Sequence, residues 1–65
     1  MIIHQGRAIK IARTTLPNDF VGQLTDLKGS PSDGYSATVL DVNGIPVAKA
    51  VNYMDGTGWV IYSPK

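Results

Sequence analysis

The pair Asn43-Gly44 stands between two runs rich in β-branched and aromatic residues, 35–42 and 45–53. In that setting it is the strongest short-range signal for a β-hairpin, because a type I′ turn needs positive φ at both central positions. A two-residue loop fixes the register: Val42 faces Ile45, Leu40 faces Val47 and Thr38 faces Lys49. Side chains alternate across a strand. Leu40, Val42, Ile45, Val47, Val51 and Tyr53 therefore share one face, and Tyr35, Ala37, Val39, Ala48, Ala50 and Asn52 share the other. Pro46 falls opposite Asp41, where its missing N–H is tolerated if nothing further pairs there.

A second turn at 54–58 leads into 59–63, so 35–63 reads as a three-stranded antiparallel meander. A five-residue loop puts Trp59 and Ile61 on the bulkier face, and a four-residue loop puts Val60 and Tyr62 there. The five-residue reading is favoured because it sets Trp59 beside Tyr53. Towards the N-terminus, Gln5-Gly6 separates two short β-like runs, 1–5 and 7–15, which predict a hairpin with a single bent strand as the rival.

The middle is less regular. Leu16, Phe20, Leu24 and Leu27 recur at helical spacing, Pro17 suits a helix start, and Lys28 and Gly29 suit its end. This predicts one short helix over 18–28. Gly22 would be interior to it, and Asn18, Phe20, Val21 and Thr25 are poor helix formers. Residues 29–34 read as a mobile, turn-rich loop. The expectation is a single domain over 1–65, a small antiparallel β-rich fold of about five strands, α+β if the helix forms. The alternative is an all-β, SH3-like barrel in which 16–28 is a loop plus a short strand.

Composition agrees with strands and turns. All five acidic residues are aspartates, glutamate is absent, and there are seven glycines and four prolines. Aspartate favours caps and turns over helix interiors. A 65-residue chain buries only about 60% of its unfolded surface, so its core is marginal. The absence of cysteine removes disulfides and thiolate zinc sites, and the lone His4 leaves no pair of imidazoles for a metal. Self-association is the reinforcement that remains. Hydrophobic residues at 43% and charged residues at 17% exclude intrinsic disorder. No apolar run is long enough to span a bilayer, so no membrane partner is expected and the cytoplasm is the expected compartment.

Chemistry-bearing motifs are absent. No serine lies in a nucleophile elbow, and no glycine-rich phosphate loop or EF-hand pattern is present. Asp55-Gly56-Thr57-Gly58 matches the aspartic-protease tetrapeptide in letters only, in a chain too short for that fold. The expectation is no enzyme, no metal and no cofactor. What remains is binding. Arg7, Lys10 and Arg13 have no acidic neighbour within residues 1–18 and form a candidate phosphate site. A pI of 8.1 is low for a dedicated nucleic-acid domain, for which about 9 or more is usual. Tyr35, Tyr53, Trp59 and Tyr62 are candidates for partner contact. Ala37, Val39, Ala48 and Ala50 make a face too apolar for open water and too small for a core layer alone, which predicts a homo-oligomer interface. The function expected is a non-enzymatic binding protein, a homo-oligomer that blocks or sequesters a partner, in the manner of a phage or mobile-element accessory protein. The alternatives are a binder of a small anionic nucleotide at a subunit boundary and a nucleic-acid-binding β module using the three cations.

Overall fold

The structure, a computed structural model, describes residues 1–52 and 58–63. Among these residues seven strands form and no helix: β1 (Ile2–His4), β2 (Arg7–Ala8), β3 (Ile11–Thr14), β4 (Gly22–Ser30), β5 (Gly34–Asp41), β6 (Pro46–Asn52) and β7 (Trp59–Tyr62). They make one sheet in the order β2-β1-β4-β5-β6-β7-β3. The expected meander is its centre, with β5, β6 and β7 paired antiparallel. The two edges are β2 and β3, and only Ile9 and Lys10 separate them in the chain.

That proximity in sequence forces the sheet to curl into a half-barrel. Ile9 donates its N–H to the Ile2 carbonyl at 3.2 Å, on the β1 side. Lys10, the next residue, accepts the Trp59 N–H at 2.9 Å, on the β7 side. Segment 7–14 therefore pairs with one edge through its first half and with the opposite edge through its second. Thr15 extends the second half, donating to the Ile61 carbonyl at 3.1 Å while its Oγ1 accepts the Ser63 N–H at 2.9 Å. Gly58 belongs to the same crossing. Its φ is +107°, and a Cβ there would lie 2.7 Å from the Lys10 carbonyl oxygen. Only glycine suits both the backbone conformation and the close approach.

The concave side of the curl is the core. Ile2, Leu24, Ala37, Val39, Ala48, Ala50, Trp59 and Ile61 are buried in it. The pairings Ala37↔Ala50 and Ala50↔Ile61 place two alanines and an isoleucine in one row. Leu24↔Val39 and Val39↔Ala48 make the next. This corrects the expected oligomer interface. Ala37, Val39, Ala48 and Ala50 are 5%, 0%, 5% and 0% exposed within the single chain. Small side chains are what the inside of a tight curl can hold, with Ile61, Leu24 and Trp59 filling the rest. The bulkier face lies outside, where Val42 and Ile45 are 74% and 55% exposed.

The 43–44 hairpin forms with a different turn. Gly44 alone is left-handed, with φ +80°, and its N–H donates to the Asp41 carbonyl at 3.0 Å. Asp41 in turn donates its N–H to Ile45 at 2.9 Å. This is a three-residue loop, a type I turn followed by a bulge. Asp41 Oδ1 decides between the two turns by accepting the N–H groups of Asn43 and Ile45 at 2.8 and 3.0 Å. Aspartate first and glycine fourth is the residue pattern of a type I turn. Thr38↔Lys49, Ala37↔Ala50 and Val39↔Ala48 keep the expected register, while Leu40 pairs with Pro46 across a bulge. The β6–β7 register, Asn52↔Trp59 and Val51↔Val60, is that of the shorter loop and not the favoured one. The turn itself, apart from Gly58, lies outside the described residues.

The helix expected over 18–28 gives way to strand. Gly22 pairs with Ile2 on one side and Asp41 on the other. A Cβ on it would fall 2.2 Å from the Leu40 carbonyl oxygen, so this glycine serves a strand crossing. Leu16 and Phe20 cover one end of the core from an irregular segment, Leu24 enters the core, and Leu27 lies exposed in a bulge beside left-handed Asp26. The helical spacing of these four residues is satisfied by three different environments. Residues 29–34, expected as a loop, reduce to a short turn between β4 and β5 in which Ser30 Oγ bonds to Asp33 through its Oδ2 and its N–H.

Three substitutions check this architecture. Ala50→Leu overpacks the concave side and is expected to cost at least about 2 kcal/mol, a large share of the roughly 3–10 kcal/mol that a domain of this size holds. Val42→Ser on the outside is expected to stay within about 0.5 kcal/mol. Urea midpoints showing the reverse ranking would place the alanines at a surface. Gly58→Ala is expected to cost about 1–3 kcal/mol through backbone strain and to speed hydrogen exchange at the Trp59 amide, which crosses to Lys10.

Candidate functional site at the mouth of the half-barrel

The site follows from alternation along β1. Ile2 points into the core, so His4, two residues on, points to the same side at its end. There its ring meets Trp59 edge-on, with centroids 6.3 Å apart and planes at 61°. The chain then reverses through Gln5 and Gly6, whose φ values of +50° and +80° mark a two-residue turn of type I′ character. This sets Arg7 directly opposite His4. The crossing at residues 9–10 carries Lys10 to the start of β7, and the Asn52↔Trp59 pairing closes the far wall.

These elements frame an open cleft of ≈ 560 Å³ lined by His4, Gln5, Arg7, Ala8, Ile9, Lys10, Asn52 and Trp59. Two cations, two amides and two aromatic rings share it with an aliphatic strip, and no carboxylate is among these lining residues. Two other clefts carry charge of both signs or acid alone. A groove beside the 42–44 turn includes Asp41, and a shallow one on the outer face sets Asp26 beside Lys28 and Lys49. The mouth thus holds the described positive charge least compensated by acid. His4 Nδ1 is enclosed and has no hydrogen-bond partner. No three His, Cys, Asp or Glu side chains converge to hold a metal ion among the described residues.

The residues expected from the sequence are distributed unevenly. Arg7 and Lys10 both line the cleft; Arg13, on β3, does not. Trp59 lines the cleft as a buried wall, only 8% exposed. Tyr35 is half-buried against the core, and Tyr62 lies 44% exposed on the outer face, opposite Lys49. Tyr53 lies outside the described residues. Inward Tyr35 and Trp59 and outward Tyr62 do not make one aromatic surface, because strand alternation sends them to opposite sides. His4, Gln5 and Asn52 were not expected. The signal for His4 was the Gln5-Gly6 turn, which pairs its two flanking residues.

No helix of the described residues is long and apolar enough to cross a membrane. The burial of Trp59 has a measurable consequence. Trp59→Ala is expected to cost about 3–5 kcal/mol, as for a large core residue, and Tyr62→Ala no more than about 1 kcal/mol. Thermal melts followed by circular dichroism separate a wall of the core from a surface ring.

Compared with protein-family models, with curated proteins and with solved structures, the chain shows no match.

Proposed function

We propose that the protein is a binding module, without catalytic chemistry of its own, that captures a small phosphate-bearing anion in the mouth of the half-barrel. One observation carries this reading: Arg7 and Lys10 line a single cleft whose described lining holds no carboxylate. A cleft lined by charge of one sign focuses its field and raises the local concentration of counter-ions. An arginine fork and a lysine ammonium are the usual donors to phosphate oxygens. The cleft is open, so solvent weakens each contact and the affinity expected is modest. Sequestration of the anion, or its use as a signal by a larger partner, is the activity such a module has.

Other readings have less support. Stacking of bases along an open aromatic platform, as single-strand binders do, needs exposed rings on one face, and Trp59 is a buried wall. Association through the alanine face loses its ground, since that face lines the chain's own core.

Pyrophosphate is the direct probe. It is expected to raise the melting temperature at low salt, by mass action on the native state, and to lose that effect as salt rises. Arg7→Ala and Lys10→Ala are each expected to weaken binding about fivefold, the effect of a roughly 1 kcal/mol charged contact. Arg13→Ala is expected to leave binding unchanged. Absent stabilisation, or an Arg13→Ala effect equal to the others, removes the site from the mouth.

A further inference from the structure

The cleft holds more than a bare phosphate needs, and its second wall points to what else is bound. Histidines that serve structure have their enclosed ring nitrogen hydrogen-bonded, and a buried unpaired nitrogen calls for an explanation. His4 Nδ1 is enclosed and unpaired. The ring is held by packing, edge-on against Trp59, and it lines the same cleft as Arg7 and Lys10. The residue as a whole is only half-buried and lines the cleft, so what the imidazole offers a ligand is a ring surface to pack against. The amide of Gln5, with one acceptor and two donors, stands on the same lining and suits the polar edge of a heterocycle.

We propose that the occupant is a nucleoside phosphate, its phosphate on Arg7 and Lys10 and its base against the His4 ring. This rests on the anion-binding reading above and adds the base to it. The volume of ≈ 560 Å³ falls in the range of about 300–1,000 Å³ usual for small-ligand sites. The lining brings both kinds of group into one cleft: Arg7 is paired directly with His4, and Lys10 is bonded to the backbone of Trp59, whose ring backs the imidazole edge-on. Base stacking on an aromatic side chain discriminates by about tenfold or more.

Calorimetry at low salt with AMP, ribose 5-phosphate and a 5′-phosphorylated oligodeoxyadenylate decides it. AMP is expected to bind at least about tenfold more tightly than ribose 5-phosphate. His4→Ala should bring AMP down to the ribose 5-phosphate level without changing ribose 5-phosphate itself, and His4→Phe should keep the preference. Equal binding of AMP and ribose 5-phosphate to the wild-type protein overturns the base contact and leaves the anion site standing. No binding of either overturns both. An oligonucleotide that binds while AMP gains nothing over ribose 5-phosphate overturns the mononucleotide and reassigns the cleft to a strand. Should His4→Ala not fold, the wild-type ratio and His4→Phe decide alone.

Discussion

The structure depends on one crossing. Ile9 bonds to β1 and Lys10 bonds to β7, so two neighbouring residues hold the opposite edges of one sheet. Everything else follows from the curl this imposes. The concave side narrows until alanine is the right size for it, and the convex side is left with the bulkier Val42 and Ile45. The cleft exists because the same crossing carries Lys10 to the start of β7 while the 5–6 turn sets Arg7 across from His4. Fold and candidate site are consequences of one backbone device.

The curl also explains how a chain without cysteine forms a core at this size. A flat sheet of this length has two faces to cover and too few residues to cover them. A half-barrel has one interior, and the segment containing Leu16 and Phe20 packs against it. The N-terminal amine of Met1 meets the Phe20 carbonyl, and the Met1 carbonyl accepts the Gly22 N–H at 3.1 Å. These bonds tie the irregular segment to β1 and β4, which satisfies backbone groups that would otherwise be stranded near the core.

The sequence was legible where the signal was local. The meander, the Thr38↔Lys49 register and a turn at Gln5-Gly6 can be read from alternation and turn residues. It misled where a local pattern had two readings. Asn43-Gly44 suggests a type I′ turn, but Asp41 accepts two N–H groups and selects type I with a bulge. Leu16, Phe20, Leu24 and Leu27 suggest a helix, but Gly22 is where three strands meet. The alanine face was misread for a global reason: no short-range pattern reports curvature, and small residues on a flat sheet mean something different from small residues inside a curl. The site was half legible. Arg7 and Lys10 stood out by charge, whereas His4 was obscured by its position near the start of the chain.

Pairing of Ile11 with Trp59 and Thr14 with Ile61 has a consequence for the birth of the molecule. A ribosome delivers 59–62 long after 11–14, and until then β3 lacks the strand it pairs with and is anchored only through the β1–β2 hairpin that precedes it. Contacts so distant along the chain slow the search for the native state. The nascent protein must therefore keep an unfinished sheet from sticking to its neighbours, and Arg7, Lys10 and Arg13, spaced along the segment 7–14 that ends in the waiting strand, are the kind of charges that deter such adhesion.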